Sequence, residues 1–450
     1  MGAWFAMWWR TMESAHALSL ACALVIGVPA VSLGLGIRIA DQDARATARG
    51  NAFAATADNP SAIYYNPAGI TQLYGSSLNK PLSLSIGSGG KNVVQPAAED
   101  PADSGFRTRA GLYAITLETR VDPLAAGAPD FDIERNWQVA PTFYTTYKLP
   151  NAPLVFGLGV YAPYGFGLEY PEDSPLRSLA ISGSVNYISI NPVVAWQVSE
   201  TFSLAAGATF NYARADLKRG ILAPHDRFQF SGDGWGVGWN AGALWKPHVM
   251  HSFGVSYRSK TDINFEGSAD THFNSFTVPT PFGPFPVPGV DSSEPASAGI
   301  KFPQHVVFGY SFRPTEEWNF EFNLDWTDWD NLNTVNLRKE SGDVPLPFNW
   351  EASFFYEFGV SYQFDNGLVA SAGYIFSENS VPNESFNPVV PDSNRHIFSA
   401  GLGGKWERWG FDLAYQFAHG PERSIRQGSV ADGNYQFDSH AVSLSVGYNF

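Results

Sequence analysis

The chain has 450 residues, of which only 16% are charged while 15% are aromatic, with 34 Phe, 19 Tyr and 14 Trp. Charges are well below the usual quarter of a soluble domain, and a formal charge of −15 leaves no basic stripe for a nucleic acid. A mean hydropathy of −0.15 excludes a bundle of apolar helices, whereas strands alternating lipid-facing and lumen-facing residues between aromatic girdles fit both numbers.

The N-terminus reads as an export signal. Arg10 precedes the apolar run Ala15–Val31, broken only by His16 and Ser19, which is too short and too early for a spanning helix. Cleavage fits after Ala30 or after Gly34; Gly34 is favoured, giving a signal peptide over 1–34. Met7 and Met12 are alternative starts. The one cysteine, Cys22, falls inside the removed segment, so the rest of the chain has no disulfide or thiol chemistry.

Residues 35–73 show neither alternation nor a long apolar run. Ala48-Arg49-Gly50-Asn51-Ala52-Phe53 and Ser61-Ala-Ile-Tyr-Tyr-Asn-Pro-Ala-Gly69 are compact and rich in small residues, which suits an irregular element inside something hollow. Alone, Asn66-Pro67-Ala68-Gly69 is turn chemistry, since Asn accepts local backbone bonds, Pro fixes φ and Gly allows positive φ. Ahead of a long array of strands, the segment resembles the N-terminal hatch of the FadL family of outer-membrane transporters for hydrophobic compounds. Asn66, Pro67 and Ala68 stand where that family carries its Asn-Pro-Ala motif, and Gly36-Ile37-Arg38-Ile39 looks like its mature start. The resemblance implies an all-β protein: a transmembrane antiparallel barrel of about 14 strands over 74–450, plugged by a hatch over 35–73, with Ile37 and Phe53 in a substrate pocket.

Strand-like runs fall near 76–88, 136–148, 154–170, 184–198, 202–217, 234–246, 251–266, 301–312, 317–329, 352–364, 367–378, 394–406 and 408–418, with a last one ending at Phe450. In that last run Val442, Leu444, Val446, Tyr448 and Phe450 alternate with Ala441, Ser443, Ser445, Gly447 and Asn449, a strict period of two. Short connections alternate with long ones (89–135, 171–183, 218–233, 267–300, 330–351, 379–393, 419–436), as tight periplasmic turns alternate with external loops. Both termini are then periplasmic. Phe450 resembles the terminal aromatic signal read by the barrel-assembly machinery.

The run 154–170 breaks its own pattern with Ala162-Pro163-Tyr164-Gly165. Proline cannot donate to a ladder, and lipid supplies no water to replace the lost bond, so the break must be covered by protein or line a cavity. The family resemblance implies a kinked third strand here and a sideways exit for substrate. Further family-like pieces are Asp233–Gly242, Val255–Ser259 and Pro391–Arg395, covering with the rest roughly 36–450. Two features depart from fatty-acid members: a short loop at 218–233, and Glu351 where a basic pocket residue is looked for. Arg219, with Arg214 as an alternative, matches a basic pocket position that could meet a carboxylate. In the 267–300 loop, Phe273, Phe276, Phe282 and Phe285 stand among five prolines, a stiff aromatic surface for capturing substrate.

Chemistry-bearing constellations are few. His248 and His251 lie on a turn with no third metal ligand near, and no nucleophile elbow appears. The reading is a non-enzymatic, monomeric outer-membrane channel for passive uptake of hydrophobic molecules, in contact with lipopolysaccharide and needing no cofactor or metal. Long-chain fatty acids are favoured over monoaromatic hydrocarbons. A non-transporting adhesin barrel and a polar porin are the alternatives.

Overall fold

The computed structural model describes residues 37–74, 105–124, 127–133, 137–221, 226–280 and 283–450. The expected signal peptide and the expected strand at 76–88 lie outside them. Fourteen antiparallel strands form a closed ring. They are β1 Gly105–Pro123, β2 Trp137–Lys148, β3 in two pieces (Leu154–Tyr161 and Gly165–Glu169), β4 Ser182–Gln197, β5 Phe202–Arg219 and β6 Arg227–His248. Then come β7 (His251–Arg258 and Thr261–Phe273), β8 (Val290–Phe302 and His305–Phe312), β9 Trp318–Thr327 and β10 Ser353–Gln363. β11 Leu368–Ser377, β12 Arg395–Trp406, β13 Trp409–Ile425 and β14 Gly433–Asn449 complete the wall. Neighbours in sequence are neighbours in the wall. β1 pairs with β14 from Arg107↔Asn449 to Pro123↔Gly433, which closes the ring.

The alternation sorts side chains as the period of two requires. On β14, Val442 and Leu444 face outward (39% and 48% exposed) while Ser443 and Ser445 face inward (2% and 0%). Aromatic pairs ring the outer face near the short turns: Phe106–Tyr147 at 4.7 Å, Trp245–Phe253 at 5.5 Å, Trp318–Tyr362 at 4.9 Å and Trp409–Tyr448 at 4.6 Å. A second belt lies higher, with Tyr212–Trp235 at 5.2 Å, Trp239–Tyr257 at 4.7 Å and Tyr356–Phe376 at 6.1 Å. Such belts mark the two membrane–water boundaries. About 9–11 residues cross a bilayer as a tilted strand, so β6, with 22 residues, rises well beyond it.

The sequence expectation is corrected at the first strand. The stave that closes the ring is Gly105–Pro123, within the stretch read as a long loop, and not 76–88. The long-loop ends of several strands also run further than expected. β5 ends at Arg219 and β6 starts at Arg227, while the 267–300 loop shrinks because β7 reaches Phe273 and β8 begins at Val290. Between those two strands, Phe276–Thr280 and Gly283–Val287 pair as a separate hairpin.

Candidate transport path

Residues 37–74 lie inside the ring, nearly all of them buried. Small side chains let the chain fold tightly. Asp43 caps the short helix Ala44–Thr47, Ala62–Tyr65 forms another single turn, and Pro67 opens a 3-10 helix over Pro67–Leu73. Asn66 does more than turn the chain. Its carbonyl oxygen accepts from Ala68 N at 3.2 Å, while its amide donates to Ala54 O at 2.8 Å and to Ala243 O on β6 at 3.0 Å. One side chain thus links two parts of the inner segment to the wall.

Charged pairs fix the segment elsewhere. Arg38 donates to both carboxylate oxygens of Asp325 (2.8 and 2.6 Å) and to Thr327 Oγ1 (2.6 Å) on β9. Arg49 meets Glu321 at 3.0 Å, and Glu321 also accepts from the Ala55 and Thr56 amides at 2.7 and 3.2 Å. Asp43 pairs with Arg109 of β1, which reaches Asp412 of β13 at 2.7 Å. Toward the short turns, Asp58 faces Arg45 at 3.3 Å and Arg313 at 3.9 Å. Burial pushes the Asp58 carboxyl up, but the Arg45 and Arg313 guanidiniums outweigh it and hold the group at about 2. Low-dielectric surroundings make such pairs costly to break, since one partner is left as a buried, uncompensated charge.

Sequence reading missed Glu321 and Asp325, yet their signal was present. β9 runs Asn319-Phe-Glu-Phe-Asn-Leu-Asp-Trp-Thr327, with every second residue polar and inward. Arg109 on β1 and Asp412 on β13 point inward too, but among mostly small or apolar inward neighbours that give no such signal.

Above this polar layer, toward the long loops, the interior is apolar. Tyr164, Tyr187 and Phe302 meet at 5.1, 5.0 and 4.8 Å, and Trp329 stands 6.3 Å from Tyr164 and 4.9 Å from Trp350. Ile37 and Phe166 belong to the same cluster. The Tyr164 hydroxyl donates to Pro303 O at 2.9 Å, so its polar end is satisfied within the apolar surroundings.

The wall is interrupted beside this chamber of packed apolar side chains. β3 stops at Tyr161 and resumes at Gly165. The inner segment covers the break: Ile39 N donates to Pro163 O at 2.9 Å, Gly165 N to Ile37 O at 2.8 Å, and Gln42 Nε2 to Ala162 O at 2.8 Å. Backbone groups that lost their ladder are thereby paired with protein. On the other side, β2 is laddered to β3 only from Phe143↔Val160 to Lys148↔Val155, and a Gln138 side-chain bond to Gly167 O spans the rest.

Other sequence-predicted residues fall as follows. Phe53 is buried in a lower cluster, 5.4 Å from Tyr65 and beneath the Arg49 guanidinium, and so away from the chamber that holds Ile37. Arg214 is exposed on the outward face, on the same side of β5 as Phe210 and Tyr212, because its parity sends it out of the barrel. Arg219 is exposed at the end of β5, 5.4 Å from the Phe228 ring, which Lys339 approaches at 5.8 Å. Glu351 is exposed and Trp350 beside it is buried in the chamber. Phe273 and Phe276 meet edge to face at 6.5 Å, Phe285 is exposed on the hairpin, and Phe282 lies outside the described residues. His251 Nδ1 contacts Tyr310 OH at 2.9 Å, and no group of three metal-ligating side chains is present among the described residues.

Comparison with known proteins agrees with this geometry. Residues 28–450 match the family described as "Outer membrane protein transport protein (OMPP1/FadL/TodX)". A putative outer membrane protein of Neisseria meningitidis is 26% identical over 464 residues, covering 92% of this chain and 94% of that protein. The long-chain fatty acid transport protein of Escherichia coli K12 is 23% identical over 356 residues, covering 69% and 77%. Among solved structures, a Pseudomonas aeruginosa FadL homologue superposes with a TM-score of 0.74 at 17% identity, covering 92% of this chain and 100% of that one. The Pseudomonas putida toluene transporter TodX gives 0.65 at 16%, covering 94% and 100%. The chain belongs to the OMPP1/FadL/TodX family of outer-membrane transport proteins.

Proposed function

We propose that this outer-membrane transporter of hydrophobic compounds carries long-chain fatty acids passively, with residues 37–74 acting as the hatch and substrate leaving sideways at Ala162–Gly165. The observation that carries the reading is the position of the buried apolar cluster, directly against the interruption of β3 and above the ion pairs that tie residues 37–74 to the wall. An apolar chain gains roughly 0.8 kcal/mol for each methylene it brings out of water. The polar layer beneath offers no such gain, so the route of least cost turns toward the bilayer at Pro163. At the outer mouth, Arg219 lies against Phe228 and gives a carboxylate a cation to meet, whereas Lys339, which also approaches that ring, is paired with Glu294 at 3.1 Å. The aromatic hairpin with Phe276 and Phe285 extends the capture surface.

The experiment is oleate uptake by cells producing a variant in which Ala162–Gly165 is replaced by regular strand sequence. Uptake falls while the heat-resistant barrel still forms; undiminished uptake removes the sideways exit. A second reading, monoaromatic hydrocarbons, is favoured by the ring-rich lining of the chamber, where Arg38 at its edge is already committed to Asp325. Titrating purified protein with oleate and with toluene separates the two.

A further inference from the structure

A second discontinuity lies on the far side of the β4–β6 panel. β6 and β7 are laddered from Asn240↔Arg258 down toward the short turns, and again from Asp233↔Glu266 up to Arg227↔His272. Between those stretches, residues 234–239 and 259–265 form no ladder. At the lower end of this gap, Ser259 N donates to Trp239 O at 2.9 Å and Trp239 N to Ser259 Oγ at 2.9 Å. β6 keeps its full ladder to β5 across the same residues, from Phe202↔Trp245 to Arg219↔Phe228, so only its β7 edge is released.

Glycine makes this edge possible. A Cβ at Gly234 would collide with Asn264 O, and one at Gly236 would sit 2.7 Å from Asp262 O, so β7 lies close against β6 where glycines leave its inner face without side chains. Above the Trp239–Ser259 bonds, no ladder joins the two strands along this strip. Elsewhere, parting two strands in a low-dielectric setting breaks a whole ladder of hydrogen bonds; here there is no ladder to break.

The two sides of the seam differ in a useful way. Ile263 and Phe265, directly inside, are buried in the apolar chamber. Outside, the β6 lip presents Trp235, Val237 and Trp239, exposed at 64%, 67% and 52% in the upper aromatic belt. The β7 lip presents exposed Lys260, Asp262 and Asn264. One lip suits an acyl chain and the other a polar head at the membrane surface. The ladder also lapses between β8 and β9, above His305↔Thr327, but there Thr334–Lys339 pairs back onto β8 and the outward residues Gly299 and Lys301 offer no apolar lip.

We propose that the β6–β7 seam is a second opening in the wall, through which long-chain amphiphiles dissolved in the outer leaflet pass directly into the apolar chamber. The chain slides past Trp235 and Val237 while the head stays near Lys260, so the molecule never crosses water. This rests on the transport reading given above and adds an inward route to it.

The chain from residue 35 onward has no cysteine, so a cross-link can be placed cleanly. A Cβ at Gly238 would lie 2.9 Å from Ser259 Oγ, within reach of a disulfide in a Gly238→Cys, Ser259→Cys pair. Gly236→Cys with Thr261→Cys gives a second pair should the first fail to assemble. Cells producing either pair are assayed for oleate uptake, oxidised and after reduction. The expected result is at least a five-fold fall on oxidation and recovery with dithiothreitol, whereas uptake by each single-cysteine variant is the same oxidised as reduced. Equal uptake in the oxidised and reduced states overturns the seam while leaving transport intact. Reduced protein that assembles but carries no oleate overturns the transport reading itself, and the seam with it.

Discussion

Arg38 and Asp325, 287 residues apart in sequence, meet in a two-point ion pair at 2.6 and 2.8 Å that joins the start of the inner segment to β9. Both side chains are almost fully buried. The pair stands where the apolar chamber meets the polar layer, and Arg38 is bracketed by Ile37 and Ile39, whose backbone covers the β3 interruption. One ion pair therefore holds both the floor of the chamber and the patch over the wall.

Removing one member leaves the other charged and buried. Asp325→Ala should cost about 3–5 kcal/mol, and Arg38→Met with Asp325→Leu together should cost less than either single change. Thermal unfolding of the purified barrel measures both. The single variant should also raise ion conductance in planar bilayers; a silent, fully stable Asp325→Ala barrel would contradict the latch.

Acid should loosen the lower end of the segment. Asp58 is held at about 2 against an ordinary 3.8, so it stabilises the folded state above roughly pH 4, and that contribution is lost as pH falls toward 2. With Asp58 partly exposed, the effect is on the order of 1–2 kcal/mol. Unfolding midpoints between pH 6 and pH 2 should drop more steeply for the native chain than for Asp58→Asn, which should already be less stable at pH 7. Parallel curves would remove Asp58 from this role.

Asn66 is predicted to be irreplaceable by Asp. The amide donates to two carbonyls, and a carboxylate cannot. Asn66→Ala leaves Ala54 O and Ala243 O without this donor, at about 1–3 kcal/mol, and Asn66→Asp adds repulsion to the same loss. Protease sensitivity of the inner segment and the thermal midpoint report it, with Asp expected to be the worse of the two.

The mouth cation Arg219 should matter only for charged cargo. Arg219→Ala should weaken oleate binding by about two- to five-fold, consistent with roughly 0.5–1 kcal/mol for one exposed cation. Toluene binding should not change. Equal losses for both ligands would point to disturbed packing around Phe228 and not to charge.

The wall was largely legible because lipid on one side and a packed lumen on the other impose a strict period of two, clearest over Val442–Phe450. β1 escaped because its alternation is blurred: Arg107, Arg109, Glu118, Arg120 and Asp122 give it the polarity of a loop, and Thr116 and Leu117 are both buried. Arg109 makes sense as a strand residue only once Asp43 and Asp412 are seen beside it. The β3 break was legible from Pro163 alone. Arg214 was placed in the pocket by family likeness, whereas its parity along β5, shared with Phe210, sends it outside. The chamber itself was not legible, since its lining is gathered from widely separated strands and loops. The released edge of β6 was hidden too, because glycines at alternate positions leave no mark of what presses on them.

Asp43, Arg109 and Asp412 have a consequence for the order in which the molecule assembles. Arg109 belongs to β1 and Asp412 to β13, on either side of β14, where the two ends of the wall meet. Until that joint is made, the seat for Asp43 does not exist, so a segment synthesised ahead of all fourteen strands is the last to find its place. During refolding, protection of residues 37–74 from protease should lag behind the appearance of the heat-resistant barrel; protection arriving first would reverse the sequence of events.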